Sequence, residues 1–147
     1  MSGPERFKVP VGIFIMLCQD DKVLLQLRQN CSFSGYWGFV GGHLDGNEQV
    51  ISVVIREAKE EIGVDIRPED LILKTICYSN KGEECLQFYF ECRKWSGEIE
   101  NKEPHKCERL EWHEWNNIPN NTCPYLKEAI FKINSGISFY EDIFNEK

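Results

Sequence analysis

Residues 42–64 read GHLDGNEQVISVVIREAKEEIGV, and the spacing within this stretch decides the fold. Ile51, Val54, Ile55, Ala58 and Ile62 recur at helical intervals, which predicts a helix over residues 48–62 stopped by Gly63. Glu57, Glu60 and Glu61 fall at i, i+3 and i+4 on that helix and project from one side of it. Like charges at that spacing repel and weaken a helix. A hard divalent cation held by carboxylate oxygens, Mg²⁺ or Mn²⁺, reverses the sign of that interaction. The glutamates are expected to flank the apolar stripe, so that the helix packs and still presents its acids at the edge of a cleft.

On the N-terminal side, residues 9–19 and 22–28 are apolar, β-branched runs separated by Asp20 and Asp21, the pattern of a β-hairpin. Residues 36–40 form a short aromatic strand, and Gly41-Gly42 with Asp45-Gly46-Asn47 predicts a glycine-rich bend into the helix. On the C-terminal side, strands are expected over 71–78 and 86–92, then a charged loop over 95–108. A strand or bend follows over 110–115, then a helix over 123–133 with Thr122 as its N-cap and Gly136 just beyond. Residues 137–147 are too short a segment to assign. This order fits an α/β (α+β) fold: a mixed β-sheet sandwiched between helices, in a single domain spanning 1–147.

The 147 residues are 41% hydrophobic and 28% charged, ordinary for a globular protein that buries its own core. A net charge of −7 argues against a stable nucleic-acid complex, because binding by counterion release needs basic clusters. The longest apolar run, 11–18, is far short of the ~20 residues of a membrane span. Seven cysteines, odd in number and without a CxxC pair, point to reduced thiols and a cytoplasmic location, since no secretory leader is visible. Ile137, Phe139, Tyr140, Ile143 and Phe144 make an apolar tail that can pack in cis or form a homodimer surface.

The helix stretch matches the signature of the Nudix hydrolase superfamily, G-x5-E-x7-R-E-U-x-E-E-x-G-U with U apolar. Gly42, Glu48, Arg56, Glu57, Ala58, Glu60, Glu61, Gly63 and Val64 fill every specified position. The chain resembles that superfamily, and its MutT-like group in particular. The resemblance implies an α/β/α Nudix fold and a Mg²⁺- or Mn²⁺-dependent hydrolysis of a nucleoside diphosphate linked to another group. It makes Glu57, Glu60, Glu61 and the Gly41 carbonyl the metal ligands, with Glu48 supplementing them. Arg56 would brace the glutamates through charge-assisted hydrogen bonds. The general base would be Glu103, in a WSGEIENKE segment similar to the MutT-type loop, or Glu60 from the box itself. Arg28 stands where MutT-like enzymes carry a phosphate-contacting arginine. The family often has a proline before the glycine pair, where this chain has Val40.

Residue types add two further expectations. Trp37 and Phe39, with Tyr36, lead into the glycine pair, where an aromatic ring can stack on a nucleobase or belong to the core. His43 and His105 fall near the same cleft. The MutT-like resemblance implies a small-nucleotide substrate, a nucleoside or deoxynucleoside triphosphate cleaved to monophosphate and pyrophosphate. ADP-ribose, a dinucleoside polyphosphate or capped RNA as substrate, an inactive nucleotide-binding module, and an isomerase of isoprenoid diphosphates are the other readings.

Overall fold

Strand β1 (Val11–Gln19) organises the molecule, because its side chains are buried on both faces and its backbone pairs with three other strands. A strand covered on both sides reads as a continuous apolar run, which is how VGIFIMLC reads here. In the computed structural model, which describes residues 4–143, β1 runs parallel to β6 (Cys85–Cys92) from Val11↔Leu86 to Leu17↔Cys92. β4 (Val40–His43) lies antiparallel along Gly12–Ile15 of β1. β5 (Leu71–Ser79) pairs antiparallel with β6 and parallel with β8 (Phe139–Asp142).

The expected hairpin forms only at its tip. β2 (Lys22–Arg28) pairs with β1 at Cys18↔Val23 and Gln19↔Lys22, then turns away. On its other edge β2 pairs antiparallel with β7 (Cys107–Glu114) along its whole length, from Lys22↔Glu114 to Arg28↔Cys107, and where it has left β1 it pairs at its far end with β3 (Trp37–Gly38). The reason is burial: β1 has already given its neighbouring edge to β4, so β2 satisfies its own backbone groups elsewhere.

Two helices cover the two faces. α1 (Val50–Ile62) packs Val53, Val54, Ala58 and Ile62 against Ile13, Ile15 and Leu17. α2 (Pro124–Asn134) packs Leu126, Ala129 and Ile130 into the cluster that holds Met16, Cys18 and Leu25. The period-2 alternation of β1 therefore divides its side chains between the two helices.

Several boundaries differ from expectation. α1 starts at Val50 rather than Glu48, because Gly46 and Asn47 adopt left-handed backbone (φ 103° and 54°) and Gln49 is extended. Gly41 and Gly42 lie inside β4, not in a bend. Thr122 does not cap α2: its hydroxyl donates to the Pro119 carbonyl at 2.7 Å, Cys123 takes the cap position and Pro124 opens the helix. The segment left unassigned contributes the edge strand β8. Tyr140 joins the core beside α2 while Phe139 is exposed, so part of the apolar tail packs in cis; Phe144 lies outside the described residues.

Candidate active site

α1 carries its acids closer to the sheet than the apolar pattern suggests. The buried stripe runs through Val53, Val54, Ala58 and Ile62 with Val50 half-buried at its start, and counted from Val50 the residues Glu57 and Glu61 occupy the i+7 and i+11 positions of that stripe. They sit within it, not beside it. Ile51 and Ile55 move to its edge, and Glu60, whose side chain is 55% exposed, stands at the open side of the cleft it lines. Glu57 and Glu61 thus stand where a core residue would, and for Glu57 the room comes from a glycine on the strand opposite.

That strand is β4. A Cβ on Gly42 would lie 2.5 Å from the carboxyl carbon of Glu57, and a Cβ on Gly41 would collide with the Ile13 carbonyl oxygen. The Gly41 N–H donates to Glu61 Oε2 at 3.1 Å. Burial, then the neighbouring charges of Glu57 and Glu103, push the Glu61 carboxyl up to about 8. Burial and the Glu60 charge likewise raise Glu57. Two carboxylates are thus held in a partly desolvated place with few donors to stabilise their charge.

Arg56 braces the group. Its guanidinium donates to Glu48 Oε1 at 2.5 Å and lies 3.7 Å from Glu57 and 3.8 Å from Glu60. Glu48 also accepts the Asp45 N–H at 2.7 Å, and these bonds, the Arg56 one first, hold its carboxyl below the usual range.

Glu57, Glu60, Glu61 and Glu103 share one cleft of about 630 Å³. Glu103 comes from the loop before β7, which is fastened to the end of α1: the Glu100 and Lys102 N–H groups donate to the Ile62 and Glu61 carbonyls. A row of rings leads away from the acids. Phe14 stands against Gly41, Tyr125 lies 5.6 Å from Phe14, and Phe33 lies 5.7 Å from Tyr125.

Trp37 and Phe39 are not the stacking surface expected of them. Trp37 is 5% exposed, packed edge-on to His113 at 4.7 Å and under the Arg109 guanidinium. Phe39 borders the cleft but is 1% exposed, so it offers no open face. Their alternation in the strand points them into the α2 core. The accessible ring is Phe33, 45% exposed on the 29–36 loop, which sequence reasoning passed over because nothing in a polar loop marks which side chain faces inward.

Arg28 borders the cleft, yet its Nε donates to the Ser32 carbonyl at 2.8 Å and Nη2 to the Ser32 hydroxyl at 3.3 Å, so it holds the loop that carries Phe33. Lys106, a second basic residue at the cleft, was not anticipated. His43 borders the cleft, and His105 offers its backbone carbonyl to Asn30.

Among the described residues, no three carboxylate, histidine or cysteine groups converge as a ready-made cation cage. The donor chemistry nevertheless fits a hard divalent ion. Glu57 and Glu61 are desolvated, mutually repelling oxygen donors, and Glu60 is one turn of helix away.

The NUDIX domain family model matches residues 7–132. The chain belongs to the Nudix family. An 8-oxo-dGTP diphosphatase of Proteus vulgaris is 30% identical over 99 residues, 67% of this chain and 88% of that protein. The human 8-oxo-dGDP phosphatase NUDT18 is 25% identical over 111 residues, 74% of this chain but only 33% of that protein. The crystal structure of a MutT Nudix hydrolase from Burkholderia pseudomallei superimposes with a TM-score of 0.77 at 26% identity, covering 85% of this chain and 98% of that one. This Nudix protein is therefore MutT-like and a hydrolase of phosphorus anhydrides, and its Nudix box is the α1 cluster described above. Among the described residues, no helix is long and apolar enough to cross a membrane.

Proposed function

We propose that this Nudix hydrolase converts a nucleoside or deoxynucleoside triphosphate to the monophosphate and pyrophosphate, with Mg²⁺ or Mn²⁺ as cofactor. One observation carries the reading: a single cleft joins a four-glutamate cluster to a contiguous row of rings, which is what a ligand with a polyphosphate at one end and a base at the other requires. The 8-oxo-dGTP diphosphatase relative supports a purine deoxynucleotide as the substrate class.

Glu57, Glu60 and Glu61, with the Gly41 carbonyl, would hold the cation. When bound, it neutralises phosphate charge and acidifies a water. Arg56 fixes the glutamates through Glu48, Glu57 and Glu60, so that they lose little freedom when the ion arrives. Glu103 takes the proton of the attacking water, with Glu60 the other carboxylate facing the cleft. Lys106 contacts phosphate oxygens directly. Arg28 acts on the substrate mainly through the loop it fastens. The ring of Phe33 and the edge of Tyr125 receive the base.

The test is product chromatography with Mg²⁺ over a panel of canonical and 8-oxo nucleoside triphosphates, ADP-ribose and dinucleoside polyphosphates, alongside Glu57→Gln. Monophosphate plus pyrophosphate from a triphosphate, abolished in the variant, is the expected result. Cleavage of ADP-ribose or a dinucleotide alone would move the substrate assignment. No turnover of any compound would leave a nucleotide-binding module.

A further inference from the structure

The loop between β2 and β3 and the loop before β7 are far apart in sequence but stitched together at the cleft. Three successive carbonyls of the second loop are captured by two residues of the first. Gln29 Nε2 donates to Pro104 O at 2.7 Å, Asn30 Nδ2 to His105 O at 2.8 Å, and the Gln29 N–H to Lys106 O at 3.0 Å. The captured segment is the one that carries Glu103 and Lys106. On its other side it is closed by Asn101, which accepts the Glu103 N–H at 3.1 Å and donates to Cys107 O at 2.7 Å.

The capturing loop is itself shaped to present a ring. Asn30 and Phe33 both adopt left-handed backbone, φ 56° and 57°. Asparagine tolerates that conformation, whereas a bulky aromatic does so only when its surroundings impose it. Here the imposing contacts are Arg28 on the Ser32 carbonyl and Asn121 on the Gly35 carbonyl at 2.9 Å. The outcome is an open Phe33 face at the cleft, three and four residues from the side chains that grip the Glu103 loop.

We propose that Gln29 and Asn30 are positioning residues that couple the occupant of the Phe33–Tyr125 surface to the placement of Glu103 and Lys106. This rests on the pyrophosphohydrolase reading given above. A base seated on Phe33 restrains the 29–36 loop, and the two side-chain bonds, from Gln29 to Pro104 O and from Asn30 to His105 O, pass that restraint to the segment holding the proton acceptor and the phosphate-contacting cation. A ligand without a base leaves both loops unrestrained.

The test uses the full chain and the double variant Gln29→Ala/Asn30→Gly, glycine being chosen because it keeps the left-handed backbone. Turnover is measured with Mg²⁺ on dGTP and on base-free 2-deoxyribose 5-triphosphate. Amide hydrogen exchange of residues 101–107 is followed with and without a non-hydrolysable α,β-methylene dGTP. In the wild type, the base raises kcat by about tenfold or more and the analogue slows exchange in the 103–107 segment. In the variant, the kcat ratio between the two substrates collapses to within about twofold, KM for dGTP stays within about threefold, and the analogue no longer protects the segment. An unchanged ratio with both rates lowered assigns these residues a purely structural part and overturns the coupling. Unchanged protection does the same. If the wild type cleaves no triphosphate, the pyrophosphohydrolase reading fails, and the exchange comparison alone decides whether the two loops communicate.

Discussion

Glu61 is held against its own chemistry, and that sets two measurable behaviours. Its folded-state pKa, about 8, lies above the ordinary 4.5. Between those values the folded chain keeps a proton that the unfolded chain has lost. The contribution of Glu61 to stability is therefore fully present below about pH 4.5 and is lost as pH rises through 8. With a chelator present, Glu61→Gln should melt higher than the parent at pH 8.5 and close to it at pH 5, while turnover with Mg²⁺ falls by orders of magnitude. Parallel melting curves across that range would refute the burial argument. In its proposed role as a cation ligand Glu61 must give up the same proton, so Mn²⁺ affinity measured by calorimetry should rise up to about tenfold per pH unit from 6 to 8 and level off above. A flat profile would contradict the assignment of Glu61 as ligand. Gly42→Ala tests the space that Glu57 occupies: the new methyl displaces that carboxylate, so turnover drops by about tenfold or more while circular dichroism stays as in the parent.

At the scale of elements, the end of α1 serves both the fold and the site. Gly63 adopts φ 75° and donates to the Lys59 carbonyl at 3.1 Å, closing the helix just where Ile62 and Glu61 receive the Glu103 loop. Gly63→Ala should cost about 1–2 kcal/mol, read from the urea midpoint, because the left-handed backbone disfavours a Cβ and Lys102 Cε would stand 2.9 Å from it. Elements such as α1, β5 and β6 were legible because local period and stop residues agree. The partners of β2 were not, because two adjacent strands with a turn read as a hairpin whether or not a third strand claims the edge. The box glutamates were legible as a cluster from spacing alone, yet their depth was misjudged: charged residues were assigned to the margin, and that Gly42 lies directly against Glu57 follows from strand pairing with β1, which spacing does not encode. That Trp37 and Phe39 are buried was illegible for the same reason, since which ring of the strand stays open depends on the α2 face.

Across the whole molecule, the apolar mass lies in two clusters on opposite faces of β1, and the cysteines follow it. All seven are free thiols; Cys18, Cys77, Cys92, Cys107 and Cys123 are buried, and burial pushes Cys18 up to about 12 and Cys77 and Cys107 to about 11. A thiol-reactive chromophore should titrate Cys31 and Cys85 readily in the native protein and the other five only after denaturation. Reductant should leave the melting temperature unchanged; a decrease would reveal a bridge.

The stretch from Cys31 to Phe33 adds no side chain to either apolar cluster, although it walls the cleft. Randomising those three positions should leave denaturation midpoints near the parental one. Appetite for new substrates can then drift in a lineage of such chains without endangering the scaffold that keeps each descendant alive.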